Sequence, residues 1–201
     1  MTGLTELRGG IVIAIAAMAF VVVASNILVQ HPVTTFGLQD YLTWGAFTYP
    51  IAFLVTDLTN RRLGPDMARR VVLIGFAIAV VLSIVFATPR IAIASGTAFL
   101  TAQLLDVFIF NRLRDSAWWH APLASSLIGS AVDTALFFSL AFAGAGVGSA
   151  VYPLPLGPVE APVWMGWAVA DFLVKVICAL ALLVPFRALM GRGVVPTGTA
   201  A

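Results

Sequence analysis

Apolar stretches of about twenty residues alternate along the chain with short polar breaks, and six are long enough to matter: residues 10–29, 41–58, 71–87, 91–110, 118–143 and 164–183. At about 1.5 Å of rise per residue, a helix of that length matches the roughly 30 Å of hydrocarbon in a bilayer. The apolar core of the first stretch exceeds the about 7–15 residues of a secretory signal, so it reads as a span. Pro50 interrupts the second stretch. Inside a bundle, neighbouring groups satisfy the carbonyl that a proline frees, so Pro50 reads as a kink and not as an end. Residues 144–162 hold four Gly and four Pro with Glu160. They are too broken for a span and read as a long external loop able to serve as a lid. The expected fold is all-α and polytopic, a single transmembrane domain over residues 1–201 with six membrane helices.

Composition sharpens this picture. The chain is 61% hydrophobic and 10% charged, with a mean hydropathy of +1.02. Soluble domains run near about 45–50% apolar and about 25% charged, so the solvent for most of this chain is lipid. Cys178 is the single cysteine, which excludes an intrachain disulfide. The net charge of +2 gives no argument for a nucleic-acid partner. Placement of the basic residues says more. Arg8, Arg61, Arg62, Arg69, Arg70, Arg112, Arg114, Arg187 and Arg192 fall on one side of the six spans, and Arg90 alone falls on the other. By the positive-inside rule both termini are cytoplasmic, as in a multi-pass protein of a bacterial inner membrane.

The candidate chemistry is polar side chains at membrane depth, where a charge costs several kcal/mol unless it faces protein, water or ligand. Counted from the arginine-rich side, Asp133 lies about 21 Å up, and Asp171 lies about 10 Å below the opposite boundary. The two carboxylates thus share a layer. Asn26 arrives at a similar height, Gln103 and Lys175 come out near the middle, and Trp44 and Phe47 lie in or just above the layer. Asp171 and Lys175 are spaced i, i+4 and can pair on one helix face, which leaves Asp133 without a partner. Asp57 and Asp106 fall about 6–8 Å from the arginine-rich boundary, where Arg61, Arg62, Arg112 and Arg114 are in reach. For them a structural carboxylate and arginine network weighs as much as binding. Ala121, Ser125 and Gly129, with Ser126 and Ser130 beside them, form a small-residue stripe that lets a neighbouring helix approach closely.

Enzymatic signatures are missing. No serine, histidine and acid converge at one depth, no HExxH occurs, and Gly144–Gly148 lacks the strand and helix of a phosphate cradle. No catalytic residue, metal site or cofactor is assigned. A bundle with one polar layer suits a carrier or a substrate-capture component. Carboxylates, an ammonium, carboxamides and aromatics together suit a flat heterocycle of guanine type. Its two adjacent N–H donors match a carboxylate, and its carbonyl accepts from a lysine or an amide.

Several segments then carry a family resemblance: Ser25-Asn26-Ile27-Leu28-Val29-Gln30, Trp44-Gly45-Ala46-Phe47, Thr56-Asp57-Leu58-Thr59, Ala68-Arg69-Arg70, Gln103-Leu104-Leu105-Asp106-Val107, Phe110-Asn111-Arg112-Leu113-Arg114, Trp119 with Ala121-Pro122, Asp133-Thr134, and Asp171 with Lys175. Together they resemble the YhhQ family of queuosine-precursor transporters, within the vitamin uptake transporter group. The resemblance implies import of 7-cyano-7-deazaguanine and its aminomethyl relative for tRNA queuosine salvage. It also implies a likeness to the six-helix substrate-binding subunits of energy-coupling-factor transporters. On this reading Asn26, Trp44, Phe47, Gln103, Asp133, Asp171 and Lys175 bind substrate, with Asp57, Asp106, Asn111 and Arg112 secondary or structural. The alternatives are a capture subunit of an energy-coupling-factor importer for a vitamin or purine-like base, and a structural membrane protein whose carboxylates only pair with Lys175 and the arginines. The partners expected are a small deazaguanine, the lipid bilayer and, among assemblies, a homodimer.

Overall fold

The computed structural model describes residues 2–154 and 157–191. Among the described residues seven α-helices form the bundle: α1 (Thr2–Leu28), α2 (Gly45–Thr48), α3 (Ile51–Leu63), α4 (Pro65–Phe86), α5 (Pro89–Leu113), α6 (His120–Phe142) and α7 (Val163–Met190). Five are long and apolar enough to cross a membrane. The sixth crossing is divided. Together α2 and α3 run over residues 45–63, about 28 Å at 1.5 Å per residue, with the break at Tyr49 and Pro50. There the α-helical pattern gives way to tighter bonds, Ala52 N–H donating to Tyr49 O and Phe53 N–H to Pro50 O.

Two expectations need correction. The polar break between the second and third apolar stretches, which contains residues 61–70, is expected as a loop and is not one. Gly64, at φ 88°, turns the chain in one residue, and Pro65 opens α4 where its missing N–H costs nothing. Arg61 and Arg62 therefore finish α3, and Asp66, Arg69 and Arg70 lie on α4. The 144–162 stretch is not a plain loop either. It carries an antiparallel hairpin, β1 (Ser149–Leu154) and β2 (Gly157–Pro162), with Val151 opposite Glu160 and Tyr152 opposite Val159. In a ribbon of two strands each has a free edge, which is where proline is tolerated in a sheet. Tyr152 ties the hairpin to the bundle, its hydroxyl donating to Val163 O and its ring lying against Gly166. Arg192, counted above with the basic residues, lies outside the described residues.

The bundle's apolar core forms where α1, α3, α4 and α5 meet, around Met18, Val22, Ala52, Val71, Val72, Phe99 and Val107. A smaller cluster of Phe110, Ala121 and Phe186 closes the arginine-rich end. Outward-facing Ile13, Phe20, Ile84 and Val184 are at least 70% exposed, as a lipid-facing surface requires. The helix ends are capped mainly by arginine. Arg61 donates to Arg114 O at 2.8 Å, Arg62 to Leu189 O, Arg114 to Asn60 O, and Arg90, at the other end, to Leu140 O at 3.0 Å and Ala143 O. These bonds add a charged donor to carbonyls at the ends of helices, where the regular ladder runs out.

Candidate functional site

Helix α6 brings Asp133 and Thr134 to the middle of the bundle, and α7 brings Asp171 and Lys175 on one face at i, i+4. The Lys175 ammonium sits between both carboxylates, 2.7 Å from Asp133 Oδ2 and 2.6 Å from Asp171 Oδ2. It also donates to Thr134 Oγ1 at 3.0 Å, while the Thr134 hydroxyl donates to Asp171 Oδ2 at 2.7 Å. One cation therefore serves two anions. Both aspartates spend Oδ2 inside this cluster, and among the described residues neither Oδ1 has a hydrogen-bond partner. Asp133 is not left without a partner, as the i, i+4 spacing alone suggested. The ammonium's three contacts also use its donors, so it positions the carboxylates and has no N–H to spare.

Asp133, Asp171 and Lys175 form the floor of a cavity of about 640 Å³. Its mouth includes Gln39–Thr43 and Thr88, which lie at the end of the bundle that carries Arg90 and away from the other arginines. Asn26 lines it, with one amide hydrogen spent on Val22 O at 2.9 Å. Aromatic walls come from Tyr49 and Phe99 on one side and Phe137, Phe138, Phe142 and Trp167 on the other. Tyr49 and Phe99 meet edge to face with centroids 6.0 Å apart, as do Phe142 and Trp167 at 5.4 Å. Lys175 Nζ lies 5.9 Å above the Tyr49 ring, within cation–π range.

The remaining expected residues lie elsewhere. Trp44 and Phe47 are 44% and 37% exposed and pack on each other at 5.7 Å, outside the cavity lining. The reason is Gly45. A Cβ there would sit 2.9 Å from the Val29 backbone, so this face of α2 must lie against α1, and the aromatics on either side turn outward, as at a membrane interface. Gln103 is fully buried and does not line the cavity; its Oε1 accepts from Thr56 Oγ1 at 2.5 Å. Asp57 and Asp106 make no ion pair among the described residues. Asp57 accepts from Ser125 Oγ at 3.1 Å and Ser126 Oγ at 3.4 Å, and Asp106 lies within hydrogen-bond reach of it. The expected arginine network is absent because Arg61, Arg62 and Arg114 are drawn to backbone carbonyls. Asn111 and Arg112 are exposed, Arg112 lying over the Phe108 ring at 5.8 Å.

Tyr49, Thr134, Phe137 and Trp167 were missed as site residues. A signal existed for two of them: Phe137 is four residues after Asp133 and Trp167 four before Asp171, so each shares a helix face with a carboxylate.

Residues 43–88 and 83–190 match the family model described as "Putative vitamin uptake transporter". The chain belongs to this family. Among its relatives, the "Queuosine precursor transporter" of Escherichia coli (strain K12) is 37% identical, covering 82% of this chain and 79% of that protein. The "Probable queuosine precursor transporter" of Haemophilus influenzae is 34% identical, covering 83% and 80%, and that of Bacillus subtilis (strain 168) is 27% identical, covering 81% and 77%. The resemblance to queuosine-precursor transporters read from the motifs agrees with these relatives. No solved structure matches the chain. As a vitamin uptake transporter family member with five long apolar helices and one divided crossing, the chain is a multi-pass membrane protein.

Proposed function

We propose that this chain is a carrier, not an enzyme, that imports a queuosine precursor across a bacterial inner membrane, with both termini in the cytoplasm. The substrate class is a 7-deazaguanine base, cyano or aminomethyl substituted. The observation that carries this reading is the pair of carboxylates held side by side on the cavity floor with both Oδ1 atoms unpartnered. A guanine-type edge presents adjacent N–H donors, which two acceptors in this position answer. Two carboxylates against one ammonium leave a surplus of negative charge, which favours a donor-rich edge. Lys175 fixes the carboxylates, and the ring face packs against Trp167 and Phe137. The Tyr49 hydroxyl and the second amide hydrogen of Asn26 take the substrate carbonyl, the role that Lys175 has no free donor to fill.

The test uses cells that cannot make the precursor but are fed 7-cyano-7-deazaguanine. Asp133→Asn is expected to lower tRNA queuosine to the level of cells without the carrier; restoration equal to the unchanged protein would remove Asp133 from the site. Saturable uptake by the purified chain alone in liposomes separates a carrier from a capture subunit that needs an energising partner.

The aromatic assignment has its own expected outcome. Trp167→Ala weakens binding roughly tenfold, about 1.4 kcal/mol, in line with loss of an aromatic pair. Trp44→Ala leaves the binding constant unchanged. Equal losses in a titration of the two variants would return Trp44 to the site.

A further inference from the structure

Below the cavity a second group of polar side chains is sealed inside the bundle. Asp57 of α3 and Asp106 of α5 are within hydrogen-bond reach of each other, and both are at least 98% buried. Ser125 and Ser126 of α6 donate to Asp57. Neither oxygen of Asp106 has a partner, and Gln103 Nε2, one turn away on α5, is also buried without one. No lysine or arginine pairs with either carboxyl among the described residues. The nearest arginines, Arg61, Arg62 and Arg114, are engaged with backbone carbonyls.

Two carboxyls in contact, out of water and without a cation, cannot both be ionised; the arrangement is relieved when they share a proton, which also gives Asp106 the partner it lacks. A void of about 10 Å³, room for about one water, is lined by Asp57, Ser126, Ser130 and Lys175 among others. Ser126 and Asp133 are seven residues apart on α6, roughly 10 Å along the helix, with Ser130 between them. Ser126 and Ser130, about 6 Å apart along the axis, are too far for a direct hydrogen bond, and the void they both line has room for a bridging water to carry a proton between them.

We propose that Asp57 and Asp106 are a proton-binding site coupled to the cavity through Ser130 and Ser126, so that base uptake is driven by proton entry. In each cycle the pair accepts one proton from the cavity side and releases it on the arginine-rich side, and no other bond changes. Among the described residues no third carboxylate, histidine or cysteine stands with the pair to complete a metal site. The proposal rests on the carrier reading, and the experiment separates the two.

The first readout needs no substrate. Infrared spectra of the purified protein should show a protonated-carboxyl band that shifts in heavy water and disappears in both Asp57→Asn and Asp106→Asn. Absence of the band, or its survival in both variants, overturns the proposal. The second uses proteoliposomes and 7-cyano-7-deazaguanine. An inside-alkaline pH gradient should drive accumulation by the unchanged protein. Both variants should keep gradient-free counterflow and lose accumulation to the level of protein-free liposomes. Accumulation driven by sodium instead, or full pH-driven accumulation in the variants, overturns it. If the unchanged protein shows no counterflow, the carrier reading fails and the infrared band still decides the pair. Should the Asn variants not fold, Ser130→Ala is expected to slow pH-driven accumulation with counterflow and band retained, and an unchanged rate there overturns the relay.

Discussion

Lys175→Met is expected to abolish uptake and to reduce sharply the amount of folded protein in the membrane. The ammonium is about 95% buried and, among the described residues, is the only cation on Asp133 and Asp171. Removing one partner of a buried ion pair costs about 3–5 kcal/mol, because a charge stays behind without compensation. Here two stay behind. The informative comparison is the triple variant Lys175→Met, Asp133→Asn, Asp171→Asn, in which no charge remains to be compensated. Membrane abundance, read from a fused reporter, should return close to that of the unchanged protein, while uptake stays at background. If uptake returned with abundance, the cluster would be a structural ion pair and the carrier would bind its substrate elsewhere.

The second large effect is expected from Gly129→Val. A Cβ at Gly129 would lie 2.7 Å from Phe53 Cε1 and 3.4 Å from Ala102 O. Phe53 is 1% exposed and cannot swing aside, and Ala102 O is backbone, so α6 must move away from α3 and α5. Overpacking of this kind costs about 1–3 kcal/mol, visible as a lower melting temperature in detergent. The site is affected too. Asp133 is four residues further along α6, and a displaced helix carries it off Lys175, so uptake should fall with stability. Phe53→Ala opens the space that the new side chain needs. The double variant should therefore lose less than the sum of the two single ones, and strict additivity would count against this contact.

Much of this arrangement was legible in the chain because a membrane forces depth to follow sequence. The apolar runs announced an all-α polytopic protein, and counting about 1.5 Å per residue put Asp133 and Asp171 at one height. Height is only one coordinate. Which way each helix turns at that height depends on packing that no single run encodes. That is why the i, i+4 spacing showed Lys175 beside Asp171 but hid its contact with Asp133. For the same reason Trp44 and Phe47 read as cavity aromatics, when Gly45 against Val29 turns them outward. Gln103 has the right depth for the cavity and the wrong direction, facing Thr56. The arginines were expected to seek carboxylates, but open carbonyls at helix ends were nearer. The hairpin at 149–162 escaped notice because its prolines argue against a strand in any sheet wider than two.

The divided crossing at Pro50 has a mechanical consequence. Below the break, α3 is pinned by Thr56 to Gln103, by Asp57 to the α6 serines and by Asn60 Nδ2 to Val107 O. Above it, α2 contributes Gly45 and Ala46 to the cavity wall and is joined to α3 through short-range backbone bonds only. It is held instead to α1, with Ser25 Oγ donating to Thr48 Oγ1 at 3.0 Å and Gly45 packed on Val29. A shift of the upper half must therefore carry the end of α1 with it, while the lower half keeps its register.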